Sequence, residues 1–435
     1  MPAFAARTAM LCALYLATAS HASASDDWSL HGQATFTAQY KPAFAARYSG
    51  QNSLDPKQSA EETIDTTLFA GVRLWDGGEA YFNPEIDQGF GLSNTLGVAG
   101  FPSGEAYKVG ASAPYLRLQR LFFRQSFQLG GDQEAVEDGP NQVAGSRSAN
   151  SLVITAGKFP VTDIFDANSY AHDPRRDFLN WSIIDSGAFD YAADAWGYSY
   201  GLVGEWNQDW WSWRIGLFNL SRIPNSTELV RGFGQYELVS EVELRHTQFG
   251  QPGKVKLLAY FNRGRMGSYD DAVGLAFATH TVPDTALVRR AAIKPGVVLN
   301  VEQGLADGLG GFLRFSVNDG GEEAYEFTEI NSAVAAGVSL SGARWERPDD
   351  TIGLAFAHNA LSRAGQRYLA AGGMGILIGD GRLNYGTENI AETYYSARLT
   401  GWFTGSVDYQ LILNPAYNRD RGPVSVLSLR LHSEF

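Results

Sequence analysis

The sequence predicts an all-β protein that forms a transmembrane barrel in the outer membrane of a Gram-negative bacterium. Three observations lead to this prediction: the composition, an export segment at the start of the chain, and a polar–apolar alternation with a period of two. The 435 residues include 48 glycines, 13% aromatic residues and one cysteine, and the formal net charge is −13. A single cysteine excludes a disulfide-stapled domain, 44% hydrophobic residues argue against a disordered chain, and the acidic balance disfavours a nucleic-acid binder.

The first 24 residues have the features of a secretory signal peptide. Arg7 precedes a short apolar stretch over residues 9–19, and residues 22–24 (ASA) fit a cleavage site. We expect residues 1–24 to be removed and residues 25–435 to form one domain; a buried N-terminal helix is the alternative. No segment contains 18 consecutive apolar residues, which argues against a helical membrane protein. The choice therefore lies between a soluble exported β-protein and a barrel.

The alternation with a period of two favours the barrel. Residues 28–40 carry apolar side chains at alternate positions with polar side chains between them, and residues 64–74 and 407–414 repeat this pattern. A turn signal at residues 76–78 precedes a strand that is predicted to begin at Glu79. Alternation of this kind is required where one face of a strand meets lipid and the other faces an aqueous lumen.

The end of the chain has the pattern of a closing strand. Leu427, Leu429, Leu431 and Phe435 share one face, and polar side chains alternate with them. This arrangement is similar to the last strand of outer-membrane barrels, which closes the cylinder. We expect it to be recognised by the barrel-assembly machinery through Phe435. A strand of a soluble sandwich is the alternative.

Two further segments are interpreted from their composition. The polar stretch 130–150 is predicted to be one exposed loop. The crowded tryptophans Trp206, Trp210, Trp211 and Trp213 are interpreted as an interface girdle or as loop packing, with sugar binding as the less favoured alternative. Barrels of about 16–18 strands leave an aqueous channel, and the length of this chain suits that size.

Several specific blocks of sequence extend over nearly all of the chain beyond the leader. The densest group is GKF at 157–159, TDIFDAN at 162–168, YAHDPR at 170–175, FLNW at 178–181 and GAFDY at 187–191. Others lie at 81–85, 250–254, 344–350, 372–381, 392–395 and 414–423. On these blocks the chain resembles the carbohydrate-selective porin family of the OprB type. The resemblance implies a 16-stranded outer-membrane barrel that passes monosaccharides, glucose above all, by passive diffusion.

One position departs from this resemblance. Arg176 follows Arg175 at a place where the family pattern has a small polar residue. A second cation at this place bears on the charge of the pore, and therefore on which solutes it prefers.

We expect the segment 158–181 to fold into the lumen after its strand and to narrow the pore. A sugar is neutral, rich in hydroxyl groups and apolar on its C–H faces, so a selective pore needs hydrogen-bonding groups and aromatic faces that bind it weakly. Cations and carboxylates nearly balance here, which suits a neutral solute. The candidate constriction residues are Lys158, Asp163, Asp166, Asn168, His172, Asp173, Arg175, Arg176, Asn180 and Trp181. Stacking surfaces could come from Trp181, Tyr170, Phe189 and Tyr191.

The alternative interpretation is that about half of the charged residues in this segment form structural ion pairs, which hold the shape of the loop.

A second group of residues is assigned to the pore wall because its members lie opposite the apolar faces of predicted strands. These residues are Arg73, Glu79, Asn83, Glu85 and Arg117.

We expect no catalysis, no cofactor, no metal and no nucleic-acid partner. Residues 197–201 match the G-x-S-x-G motif of hydrolases, but Ser199 lies in an aromatic-rich strand rather than in a strand–turn–helix. The expected function is passive diffusion of sugars into the periplasm. The alternatives are a general or ion-preferring porin, a plugged sugar-binding barrel and an outer-membrane enzyme. A homo-oligomer is left open.

Overall fold

Sixteen antiparallel strands close into one barrel in the computed structural model, which describes residues 27–106, 109–326 and 329–435. The predicted leader, residues 1–24, lies outside the described residues. The strands are β1 (Trp28–Lys41), β2 (Ser59–Trp75), β3 (Gly78–Gly89), β4 (Ala111–Val136), β5 (Gly145–Phe159), β6 (Ser199–Gln208), β7 (Trp211–Asn219), β8 (Tyr236–Gln248), β9 (Gln251–Met266), β10 (Arg290–Ala306), β11 (Leu309–Asn318), β12 (Ser332–Gly342), β13 (Arg347–Ala360), β14 (Glu388–Thr400), β15 (Phe403–Leu413) and β16 (Val424–Glu434).

The first and last strands pair with each other and close the cylinder. The register runs from Gln33 opposite Glu434 to Tyr40 opposite Leu427. Beyond the strand, Phe435 exchanges two backbone hydrogen bonds with Gly32, at 2.9 and 3.0 Å. The prediction of a closed barrel whose last strand completes the sheet is therefore confirmed, and no strand edge is left unpaired along this seam.

Side chains alternate between an exposed outer face and an inner face that is largely buried. On β15, Val407 is 58% exposed, whereas its neighbour Asp408 is 7% exposed. The alternation predicted for residues 28–40 and 64–74 is present in β1 and β2. The apolar face therefore points outward and the polar face points into the lumen, as a membrane barrel requires.

The two ends of the barrel differ in their connections. At one end the connections are two to eight residues long, at 76–77, 137–144, 209–210, 249–250, 307–308, 343–346 and 401–402. At the other end they are long, at 42–58, 90–110, 160–198, 220–235, 267–289, 319–331, 361–387 and 414–423. These long connections contain the helices α1 (Trp181–Ile184), α2 (Tyr269–Thr279) and α3 (Arg363–Ala370). Across the described ranges, no helix has the length and apolar character needed to cross a membrane.

The prediction of a single exposed loop over residues 130–150 is wrong. β4 continues to Val136 and β5 starts at Gly145, so only residues 137–144 connect the two strands. The pairing shifts at Gly130, and both Gly130 and Gly131 have positive φ angles, of 100° and 91°. Because this part of the hairpin is polar on both faces, it lacks the alternation by which a strand was recognised elsewhere.

The tryptophan cluster surrounds the short connection between β6 and β7. Trp206, Trp210 and Trp213 are 44%, 60% and 40% exposed on the outer face, at the end of the barrel with short connections. This position fits the interface girdle that their composition suggested. The turn before β3 is one residue shorter than predicted, because β3 begins at Gly78 rather than Glu79.

A charge on the outer face is expected to destabilise the barrel. Val407 lies near the middle of β15, and Val407→Arg should lower the free energy of unfolding by about 2–4 kcal/mol, because an arginine near the middle of the bilayer loses its hydration. Urea unfolding of the barrel in lipid vesicles measures this change. Val407→Leu is the matched control and should stay within about 0.5 kcal/mol of the parent. Equal stability of both variants would contradict an outward-facing Val407.

Candidate functional site

The connection between β5 and β6, residues 160–198, crosses the lumen and leaves a passage along one side. Its backbone is irregular, so its N–H groups need acceptors inside the barrel. Glutamates on the inner wall supply them, each accepting a hydrogen bond of 2.8–3.0 Å from a backbone N–H of this segment. The pairs are Glu237 with Ala192, Glu241 with Asp166, Glu302 with Ser169 and Glu392 with Asn180.

Wall cations hold the carbonyl groups of the same segment. Arg314 on β11 donates to the carbonyl of Ile183 at 2.7 Å. Arg430 on β16 donates to the carbonyls of Asp177 and Arg176 at 2.9 and 3.0 Å. The segment is therefore fixed to strands on the far side of the barrel from β5, where it begins.

Asp166 and Asn168, two predicted constriction residues, lie within this anchoring network. Asp166 is fully buried; its carboxylate accepts from the Ser186 N–H and from the Asn300 Nδ2, both at 2.7 Å. It also faces Arg314 at 3.5 Å. Asn168 donates to Asn300 at 2.7 Å. These contacts shape the segment, as the structural-pair alternative described.

Asn180 and Trp181 start the short helix α1 and join it to the preceding long connection, residues 90–110. The Asn180 side chain accepts from the Ser182 N–H and donates to the carbonyl of Gly100 at 2.9 Å. The Trp181 ring stacks on Phe101 with 5.1 Å between the ring centroids. Two long connections are thereby packed together above the passage.

Two cavities mark the passage through the barrel. The upper cavity, of about 310 Å³, lies between residues 101–106, the inserted segment and Arg120. The lower cavity, of about 1080 Å³, reaches the short connections and is walled by the inserted segment, the β2–β3 and β4–β5 hairpins and strands β6–β9. Asp163 lines both cavities, which places it where they meet.

Arg120 faces Asp163 at this junction. The guanidinium Nε and Nη2 donate to the two carboxylate oxygens at 2.6 and 2.7 Å, so the pair is bidentate. Strict alternation from Arg117 predicts that Arg120 lies on the outer face, so the sequence pattern does not identify Arg120 as a site residue. The pairing of β3 with β4 shifts between Asn83 and Pro84, and Gln119 is the extra residue of this bulge, so that Arg120 faces inward as well as Gln119.

Arg175 lies beside the upper cavity among carboxylates. Its Nη2 is 2.9 Å from Asp65 and 3.3 Å from Glu85, and its Nε is 3.6 Å from Glu105. Burial raises the pKa of Glu105 well above its ordinary value, Asp65 raises it further, and Arg175 opposes the shift. Burial also raises the pKa of Asp173, but the charge and N–H of Arg175 outweigh it and hold that pKa below its ordinary value. The charge of this cluster is therefore more balanced than its four carboxylates suggest.

Four more of the predicted site residues lie at different places in the structure. Lys158 and Arg117 both face Asp194, at 3.7 and 3.5 Å, and Arg117 also lies over the Trp196 ring at 3.3 Å. His172 lines the upper cavity and faces Asp185 at 3.6 Å. Arg176 lines neither of these two cavities; it pairs with Glu434 at the end of β16.

Of the predicted pore-wall residues, two line the lower cavity and the others line neither cavity. Arg73 and Glu79 line the lower cavity and face each other at 3.5 Å. Asn83 is fully buried and donates to Asn141 of the β4–β5 connection at 2.9 Å. Glu85 accepts a hydrogen bond from Thr67, beside Arg175.

Some aromatic residues of the inserted segment line the upper cavity, and others do not. Trp181 and Tyr191 line the upper cavity, together with Trp196 and Tyr198, which the sequence did not single out. Phe189 is 2% exposed and packs against the Tyr260 ring, away from both cavities.

The comparisons with known proteins agree on the architecture. A scan of protein families matches residues 51–435 to the family described as carbohydrate-selective porin, OprB family. Among solved structures, the high-pH structure of Pseudomonas putida OprB is similar with a TM-score of 0.71 at 17% identity, over 94% of each chain. The low-pH structure of the same protein gives 0.52 at 15% identity, over 94% of this chain and 93% of that one. The outer membrane channel DcaP of Acinetobacter baumannii gives 0.51 at 11% identity, over 94% and 97%. No curated protein sequence matches the chain.

The His172–Asp185 contact is expected to make the inserted segment sensitive to pH. Burial lowers the pKa of His172, but the facing Asp185 more than offsets it and leaves the pKa above its ordinary value of 6.5. A raised folded-state pKa means that the contact stabilises the segment below about pH 6.5 and that this stabilisation is lost as the pH rises through the folded-state pKa. Amide hydrogen exchange of residues 170–190, corrected for intrinsic rates, should show falling protection from about pH 5.5 to 8.5. His172→Gln should remove the pH dependence; its persistence in that variant would contradict this assignment.

Proposed function

The chain belongs to the carbohydrate-selective porin family, OprB, and from this we propose that it passes monosaccharides of glucose size by passive diffusion, with the upper cavity as the selective step. The family and the closed barrel make it an outer-membrane sugar porin. The observation that carries the finer proposal is the junction of a small and a large cavity at the Arg120–Asp163 pair.

The size of the upper cavity supports a small solute. At about 310 Å³ it is less than a third of the volume of the lower cavity and lies at the low end of the range for small-molecule sites. A solute that crosses the barrel along this passage meets the smaller cavity first when it comes from the long connections. The smaller space therefore sets the size limit on that side.

The chemistry of the upper cavity supports a neutral polyol. Arg120 and Arg175 supply donors, Asp163 and Asp173 supply acceptors, and Trp196 offers an aromatic face. Opposite charges are paired across the space, so neither anions nor cations gain a strong advantage. A sugar hydroxyl can replace one hydrogen bond of a pair and leave again, which keeps binding weak enough for passage.

We further propose how the protein is exported and what it contacts in the membrane. Residues 1–24 direct export, lipid surrounds the exposed outer face, and the barrel-assembly machinery reads the last strand through Phe435.

Arg120→Ala is expected to reduce the preference for sugars. In liposome swelling, the ratio of glucose uptake to that of a size-matched, uncharged non-sugar should fall by about 2–10-fold, because one set of charge-assisted hydrogen bonds at the junction is lost. Arg367→Ala is the matched control, since Arg367 forms an exposed ion pair with Asp270 on the long-connection side. Its ratio should equal that of the parent.

The parent protein itself decides between the candidate functions in this assay. Faster uptake of glucose than of its size match supports the sugar-selective pore. Equal uptake would indicate a general porin on the same barrel, and no uptake would indicate a plugged barrel. An unchanged ratio in Arg120→Ala, with a selective parent, would show that the junction is not the selective step.

A further inference from the structure

The connection between β4 and β5, residues 137–144, turns back into the barrel from the end with short connections. We call this segment the hairpin tip. It reaches wall side chains on three other strands as well as β4. The contacts are Ser29 Oγ to the Gly139 carbonyl at 3.2 Å, His31 to Asp138 at 3.1 Å, Arg73 to the Ala144 carbonyl at 2.6 Å, Asn83 to Asn141 at 2.9 Å and Arg124 to the Asn141 carbonyl at 3.0 Å.

One apolar residue fixes the hairpin tip in the lumen. Val143 is 3% exposed and belongs to the same buried cluster as Tyr81 and Phe122 of the wall. These two rings stack with centroids 4.8 Å apart. An apolar patch on a wall that faces an aqueous lumen is stabilised when an apolar side chain covers it, and Val143 packs in the same buried cluster.

The strands β4 and β5, which lead into the hairpin tip, have features that permit a bend. Gly130 and Gly131 both have positive φ angles, and the pairing with β5 shifts on either side of Gly130. Successive positive φ angles are costly for residues with a Cβ, so this pair of glycines permits the hairpin to leave the wall and curl under it.

The hairpin tip lies along the passage. Pro140, Asn141, Gln142 and Val143 line the lower cavity, together with residues of β2 to β9 and of the inserted segment. Asp163, at the junction of the two cavities, lines the same space. A solute that has crossed the junction therefore enters a space that the hairpin tip narrows on one side.

We infer that the hairpin tip is a second size filter, which restricts the exit of the pore to small saccharides after the chemical selection at the upper cavity. This inference rests on the proposed function, but it concerns a different segment and a different property. The junction discriminates by hydrogen bonding, whereas the hairpin tip discriminates by the space that it leaves.

The first test shortens the hairpin. Residues 131–149 are replaced by an Asn-Gly turn that joins Gly130 to Asn150, which are paired in the sheet. The variant should show a higher single-channel conductance and should admit a disaccharide that the parent excludes in liposome swelling. Unchanged conductance and unchanged exclusion would overturn the inference, and so would a loss of glucose uptake by a folded variant.

A second variant tests the same point without a deletion. Val143→Asp places a charge against Tyr81 and Phe122, which should expel the hairpin tip from the lumen and admit the disaccharide. Glu137→Ala, at an exposed residue of the hairpin tip that lines neither cavity, is the matched control and should behave as the parent.

A cross-link tests whether the position of the hairpin tip causes the exclusion of the disaccharide. Ser29→Cys and Gly139→Cys, added to Val143→Asp, join the tip to the wall when the thiols are oxidised with diamide; exclusion of the disaccharide should return and disappear again on reduction. Continued uptake in the oxidised, cross-linked variant would overturn the inference. If the parent shows no preference for glucose but the disaccharide results hold, the proposed chemical selectivity fails while the size filter stands.

Discussion

The structure depends on one constraint: an irregular chain segment placed inside a barrel must find partners for its backbone N–H and carbonyl groups. The inserted segment finds them on the barrel wall. Glu237, Glu241, Glu302 and Glu392 accept from its N–H groups, and Arg314 and Arg430 donate to its carbonyls. The polar lumen that a water-filled barrel permits is thus used to hold the segment that narrows it.

This constraint explains why the charged residues of the segment divide into two kinds. Asp166 lies in a network with Arg314 and lines neither cavity, and removing its carboxylate would leave a buried cation without its counter-ion. Asp163 and Arg175 line the upper cavity, as do Arg120 and Asp173, so these groups are in reach of a solute. Sequence polarity alone does not separate the two kinds, because both need the same residue types at similar spacing.

The sequence predicts much of the fold because alternation with a period of two is a direct consequence of lipid on one side and water on the other. The prediction fails where a segment does not follow this alternation. A bulge reverses the alternation at Gln119 and turns Arg120 inward, and the hairpin beyond Gly130 leaves the membrane, so no face of it needs to be apolar. The wall glutamates are equally hidden, since a lumen-facing glutamate looks the same in sequence whether it meets water or a backbone N–H.

The most direct test of this account is amide hydrogen exchange of residues 188–196 in Glu237→Ala, compared with Glu237→Gln. Glu237 is fully buried and accepts from the Ala192 N–H at 2.9 Å. We expect the alanine variant to speed exchange there by about 10–100-fold, because a buried N–H loses its acceptor, whereas glutamine keeps an acceptor oxygen and most of the protection. Equal protection in the parent and the alanine variant would contradict the claim that the wall carboxylates hold the inserted segment in the lumen.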